Sequence, residues 1–371
     1  MTARALVLEA PRRLVESDFD VPVVADDDAV LRVEACGLCG TDYELYTGDI
    51  DLGYHGFIPG HETVGVIEAI GPVAARTWGV AAGDRVAVYT RPVCRACDHC
   101  RRGDLANCAA FGPGQVREFY GLTPIDKAPA LWGGYATHHY LRPESLVLPV
   151  PAGVDPEHAT LFNALAAGVT WAVDLPATGP GDVVAVLGPG IRGIAAVVAA
   201  KAAGAGFIMV TGKGAADRER LAVARRLGAD VVIDVTEADP VDVLREAVGG
   251  LADVVVEVTA NAPAAAVQAV ELAGRQGRAV LAGAGRGRDT ATLPLQPITA
   301  RGIRVIGATG VGPEAQARAL ALLGQGVLEP GVVMARSAGF AGLGDLLATM
   351  AGEGTEPPPL HGVFVPDGPG D

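Results

Sequence analysis

Two hydrophobic rhythms divide the chain. Through residues 1–150, short β-branched runs such as Ala29–Glu34, Val64–Ile70 and Arg85–Tyr89 are separated by Gly, Pro and Asp. Runs of this kind predict strands joined by tight turns, and Gly83-Asp84 is a turn signal directly before one of them. From about residue 155 the rhythm changes. Ala159–Val173 has helical composition, and Val183–Leu187 reads as a buried strand that enters a Gly-rich turn and a long apolar helix over Ile191–Ala203. Strands are then predicted over Phe207–Val210, Val231–Ile233, Asp253–Val258, Arg278–Leu281 and Ile303–Ile306, with helices over Asp217–Leu227 and Ala262–Ala273. Strands alternating with helices predict a parallel sheet of βαβ units, and strands apolar throughout predict a sheet covered on both faces. A further helix is predicted over Pro313–Gly324, ahead of a Pro/Gly-rich tail expected to fray after about Asp367.

Composition adds bounds. The 371 residues are half hydrophobic and 19% charged, which suits packed cores and, at about 150 residues per domain, two or three domains. A net charge of −14 repels phosphate backbones and anionic lipid, so neither nucleic acid nor a membrane is an expected partner. The longest apolar run, Ile194–Ala203, is interrupted by Lys201 and falls well short of the ~20 residues that span a bilayer. With no targeting segment legible in MTARALVLEAPRR, a cytoplasmic location is expected. Six cysteines in such a chain read as metal ligands or free thiols rather than as a disulfide framework.

Four of those cysteines, Cys94, Cys97, Cys100 and Cys108, are spaced C-x2-C-x2-C-x7-C inside Arg91–Gly114. Four clustered thiolates suit a closed, structural tetrahedral zinc; an iron–sulfur cluster or plain thiols are the alternatives. Their charged neighbours, Arg95, Asp98, Arg101 and Arg102, would form a solvated rim. A second group of ligand types lies upstream: Cys39 within Gly37–Asp42, and Gly60-His61-Glu62 about twenty residues on. A catalytic zinc takes about three protein ligands and keeps one position open, and Cys39, His61 and Glu62 offer a thiolate, an imidazole and a carboxylate. Thr41 has a hydroxyl able to pass on an alcohol proton, and Asp42 a carboxylate able to orient the imidazole. Cys36 reads as a small buried hydrophobe.

The turn after Val183–Leu187 is Gly188-Pro189-Gly190-Ile191-Arg192-Gly193. G-x-G-x-x-G between a strand and a helix is the dinucleotide fingerprint, with the pyrophosphate on the helix N-terminus. The next strand ends at Val210-Thr211-Gly212-Lys213 with no acidic residue to take a ribose 2′-OH. That absence, with Lys213 at hand, leans toward NADP over NAD, although Asp217 in the same loop can still serve the ribose.

Taken together, GLCGTD (37–42), PGHETVGVIEAIG (59–71), GDRVAV (83–88), the four-cysteine lobe, GGYA (133–136) and the Gly-rich turn resemble the zinc-containing medium-chain alcohol dehydrogenases, over nearly the whole chain. The resemblance implies an α/β protein: a mostly-β GroES-like catalytic domain (1–155, with the zinc lobe 91–114), a Rossmann domain with a doubly wound parallel sheet (156–308), and a C-terminal segment (309–371) returning to the catalytic domain. It implies two zincs per chain, with the catalytic one on Cys39 and His61, Glu62 as a direct or exchanging ligand, and Thr41 as the first proton relay. NAD(P) on the Gly-rich turn and a homodimer or homotetramer follow from it as well. The implied reaction is hydride transfer between an alcohol or carbonyl compound and NAD(P). Two departures stand out: Asn163 holds the place where the family often has a further Glu or Cys ligand, and Glu44 stands where relatives often carry a relay histidine. An amide is a poorer zinc ligand, and the set then looks like the polyol-type (sorbitol and threonine dehydrogenase-like) branch. Two rival readings keep the fold: a zinc-free reductase of activated alkenes or quinones, and a non-catalytic dinucleotide-binding protein. Tyr43, Tyr46, Phe57, Trp132 and Phe162 are pocket candidates that can equally be core.

Overall fold

The structure, a computed structural model, describes residues 1–112, 114–283, 290–333, 335–353 and 357–366. The tail expected to fray lies outside the described residues. The chain forms two compact units, one of residues 1–162, 312–324 and 333–371, the other of residues 163–311 and 325–332.

The first unit is mostly β. A seven-stranded sheet runs Ala335–Ala338, His361–Phe364, Ala29–Leu38, Glu62–Ile70, Arg85–Val88 and Val147–Pro149 from edge to edge, and His138–Leu141 pairs the N-terminal half of Ala29–Leu38. The register sets Gly37 opposite Glu62 and Cys36 opposite Thr63, and the returning C-terminal strand sets Gly362 opposite Leu38. A separate antiparallel hairpin joins Thr2–Ala10 to Arg13–Asp20. One core packs Leu6, Cys36, Leu38, Ile58, Tyr135 and Phe364 against Leu343 and Leu347 of the helix Leu343–Met350. Cys36 is fully buried there, as expected of a small hydrophobe. Phe57, Trp132 and Phe162 are buried as well, while Tyr43 and Tyr46 are half-buried against this core.

The second unit carries a six-stranded sheet in the order Val231–Asp234, Phe207–Gly212, Val183–Leu187, Ala252–Glu257, Ala273–Leu281, Arg304–Gly307. Every neighbouring pair is parallel. The order reverses beside Val183–Leu187, the switch point at which open α/β sheets bind ligands beyond the carboxyl ends of their strands. The strand Val183–Leu187 and the helix Pro313–Gly324 lie at their predicted bounds, and the apolar helix ends one residue early, at Ala202.

Two predicted elements differ. The helical stretch 159–173 is broken into Pro156–Ala159, capped by Asp155, then Phe162–Gly168, then a π-helical turn Val169–Asp174 in which the Leu175 N–H reaches back five residues to the Thr170 carbonyl at 2.9 Å. The strand predicted from Arg278 begins at Ala273, which pairs with Ala252 before an irregularity that carries the register to Arg278 opposite Val254; the intervening Gly274, Arg275 and Gln276 have no apolar pattern to announce a strand.

Candidate active site and metal centres

The strand pairing that sets Gly37 beside Glu62 brings the first ligand group together. Cys39 lies just past the end of the strand Ala29–Leu38, at the N-cap of the helix Gly40–Thr47, and Glu62 opens the neighbouring strand directly after His61. One donor atom each from Cys39, His61 and Glu62 lies within 4.8 Å of the other two. Cys39 and Glu62 are buried, and the His61 side chain keeps 14% of its surface exposed. A thiolate, an imidazole and a carboxylate so gathered fit a divalent zinc with an open fourth position.

Asp42 ties these segments to each other. Fully buried, it accepts the Cys39 N–H at 2.8 Å and the Gly60 N–H at 3.2 Å, and its Oδ1 lies 3.6 Å from His61 Nδ1. A buried carboxylate is costly unless its lone pairs are filled in this way. Burial opposes charge on His61, but Asp42 and Cys39 outweigh it and hold the imidazole pKa well above its usual value. Thr41, half-buried in the first turn of the helix Gly40–Thr47, stands between Cys39 and Asp42 in sequence.

The second ligand group is closed. The sulfurs of Cys94, Cys97, Cys100 and Cys108 lie within 4.8 Å of one another. Backbone N–H groups of Ala109 and Cys100 point at Cys97 Sγ, at 3.4 and 3.5 Å, and lower its pKa to about 6. Similar donation lowers Cys94, while burial pushes Cys100 up to about 12. Amide donors that favour thiolate are what a tetrathiolate metal shell requires. Arg101 pairs with Asp98 at the exposed rim.

In the second unit, the Gly-rich turn is shaped for a phosphate. Gly188 has φ 106°, a left-handed conformation that disfavours other residues. A Cβ on Gly193 would stand 1.9 Å from the Gly188 carbonyl, whereas one on Gly190 would meet no protein atom within 4 Å. The first and third glycines are thus required by the fold, and the second leaves open space beside the backbone, as a dinucleotide turn requires. Gly190 caps the helix Ile191–Ala202 without any side-chain bond, so its first N–H groups keep their donor capacity for an anion. The Arg192 guanidinium lies 5.0 Å over the Trp171 ring. At the end of the next strand, Thr211 and Gly212 are buried and Lys213 is exposed. Asp217 turns back to accept the Lys213 N–H at 2.9 Å and lies 3.6 Å from Arg220.

Residues 25–152 match the profile of the alcohol dehydrogenase GroES-like domain, and residues 193–325 that of the zinc-binding dehydrogenases. A Mycobacterium tuberculosis protein named "Probable alcohol dehydrogenase adh" is 53% identical over 98% of both chains. The chain belongs to the zinc-containing medium-chain dehydrogenase family. Sorbitol dehydrogenase of Bacillus subtilis is 30% identical over 76% of this chain and 74% of its own. In fold, the chain is similar to a Sinorhizobium meliloti 1021 protein described as a zinc-binding dehydrogenase and bound to NADP, with a TM-score of 0.83 and 24% identity over 99% and 100% of the two chains. Membership in this medium-chain family makes the chain an NAD(P)-dependent alcohol oxidoreductase.

Sequence reasoning passed over one residue of this region. Glu257 ends the strand Ala252–Glu257 at the switch point, directly after the apolar run Val254–Val256, and is fully buried. A charge closing the run Val254–Val256 was the available signal.

Proposed function

We propose that the first unit is the catalytic domain and the second the dinucleotide domain of a two-zinc dehydrogenase acting on secondary alcohols or polyols, with NADP preferred. The observation that carries this reading is the gathering of Cys39, His61 and Glu62 within 4.8 Å around the buried Asp42. Cys39, His61 and Glu62 would hold the catalytic zinc; with Nδ1 facing Asp42, Nε2 is the ring nitrogen left to ligate. Cys94, Cys97, Cys100 and Cys108 would hold the structural zinc. When bound, the catalytic zinc supplies Lewis acidity to an alcohol oxygen, and NAD(P) supplies the hydride acceptor.

The chain's own side chains do the rest. Thr41 accepts the alcohol proton and donates its own outward. Asp42 fixes the imidazole and the Cys39 backbone. Gly188, Gly190, Ile191, Arg192 and Gly193 seat the pyrophosphate, and Thr211, Gly212 and Lys213 face the adenosine ribose. The NADP preference is supported by the exposed Lys213 and by Asp217, whose carboxylate is engaged by the turn it caps. The polyol leaning is supported by a ligand set of one Cys, one His and one Glu, with Asn163 in place of a further acidic or thiol ligand, and by the similarity to sorbitol dehydrogenase. A homodimer or homotetramer is supported by the family and by the edge strand Arg304–Gly307, where Val305 is exposed. Turnover of a panel of secondary alcohols and polyols, run with NAD and NADP side by side, tests the reading. Activity with at least one pair, faster with NADP, is expected; no alcohol-dependent reduction of either nucleotide would remove it.

A further inference from the structure

Glu257 ends the fourth strand of the parallel sheet at the height of the Gly-rich turn, opposite Leu187. Its carboxylate spans two loops. Oε1 accepts the Thr259 N–H at 2.7 Å, in the loop after its own strand, and Oε2 accepts the Gly283 N–H at 3.2 Å, in the loop after the next strand. The Thr259 hydroxyl in turn donates to the Leu187 carbonyl at 2.9 Å, directly before Gly188. The junction is tight: a Cβ on Gly283 would stand 2.3 Å from Thr259 N, and one on Gly188 would stand 2.8 Å from Thr259 Oγ1.

A dinucleotide lies across the switch point of such a sheet. On the dinucleotide reading the pyrophosphate would sit at Gly190 and the adenosine ribose at Gly212–Lys213, on the side of the second strand. The nicotinamide half must then lie on the other side, toward the fourth and fifth strands, whose loops Glu257 joins. We propose that Glu257 is a positioning residue for the nicotinamide half: its carboxylate locks the loops 258–262 and 282–283 at the spacing that half requires. This rests on the dinucleotide reading above. It requires a selective effect, because a group that merely held the sheet together would affect both halves of the ligand alike.

Calorimetric titration of the full chain with NADPH, NADH and the matching ADP-ribose fragments, which lack nicotinamide, makes the test. Glu257→Gln puts an amide donor against one backbone N–H and is expected to weaken NADPH and NADH about tenfold while leaving the fragments within about twofold. Gly283→Ala keeps the carboxylate's chemistry but sets a Cβ 2.3 Å from Thr259 N and 2.7 Å from Glu257 Oε1, which drives the same loops apart; it is expected to give the same selective loss and keeps the test open should the amide variant fail to fold. Dinucleotide affinity unchanged in both variants overturns the proposal and leaves the dinucleotide reading standing. So does a parallel loss of dinucleotide and fragment, which marks a general support of the sheet. If the unaltered chain binds neither, the dinucleotide reading itself falls, and this proposal with it.

Discussion

The two ligand clusters of the first unit obey opposite logics. The four-cysteine lobe gathers its sulfurs from one short stretch, 94–108, and closes the shell with thiolates alone. Cys39, His61 and Glu62 sit at the ends of two strands whose pairing register brings them together. Their three donors are of three kinds, and they leave a position open. A closed shell can stiffen a loop but cannot take a substrate; an open one can. On the proposed assignment, shell composition is what would separate a structural from a catalytic zinc, and the difference forecasts losses of different kinds when each cluster is broken.

The largest separation is expected between Cys39→Ala and Cys97→Ala. Removing Cys39 should cut alcohol turnover about a thousandfold, the worth of several kcal/mol of Lewis-acid stabilisation at about 1.4 kcal/mol per decade, with little change in melting temperature. Removing Cys97 should lower the melting temperature by roughly 10 °C, the effect of losing a few kcal/mol in a chain of this size, with kcat of the folded fraction nearly kept. Calorimetry and steady-state kinetics on both variants check the crossover. Next is Asp42→Asn. Its amide cannot accept at both oxygens, so metal affinity at the open cluster and turnover should fall about 10–100-fold, the usual cost of losing a partner that orients a ligand, while the cysteine lobe keeps its zinc. Equal loss of both metals would erase the distinction.

A smaller effect is expected at the cofactor end. Lys213→Ala should lower the NADP-to-NAD ratio of kcat/KM about tenfold, one charge-assisted contact to a 2′-phosphate; an unchanged ratio would return the ribose role to Asp217. The smallest is a matter of pH. His139 is fully buried in the first unit, neither ring nitrogen has a hydrogen-bond partner among the described residues, and burial lowers its pKa to about 3. The folded chain keeps it neutral, while the unfolded chain protonates it near pH 6.5. Its contribution is therefore present in full above that pH and is lost as pH falls from 6.5 toward 3. Denaturant melts of His139→Phe should show a shallower loss of stability between pH 6 and 4; an identical slope would clear His139 of the effect.

Much of this was legible in the sequence, for reasons that vary by element. Val183–Leu187 and Gly188–Gly193 are encoded locally, by an apolar run and by glycines that a turn and a close approach demand. The cysteine lobe is equally local. The N-terminal hairpin was not legible: Arg13–Asp20 alternates exposed and half-buried residues, and its turn uses Arg12 at φ 59° where Gly or Asn would have announced it. Nor was the strand His361–Phe364, which is placed by pairing with Cys36–Leu38 more than 300 residues away. The helix Pro240–Val248, between two predicted strands, is marked only by its ends, Asp239 at the N-cap and Gly249 at φ 70° after the last turn. In the open cluster the ligand types could be read from the chain, and the buried junction that Asp42 makes with both segments required the register.

The most direct measurement is zinc per chain set against alcohol turnover, in the unaltered protein and in Cys39→Ala. Two zincs with turnover in the first, and one zinc without turnover in the second, are the expected results. Undiminished alcohol oxidation by a chain that holds only the zinc of the four-cysteine lobe would contradict the assignment of chemistry to Cys39, His61 and Glu62.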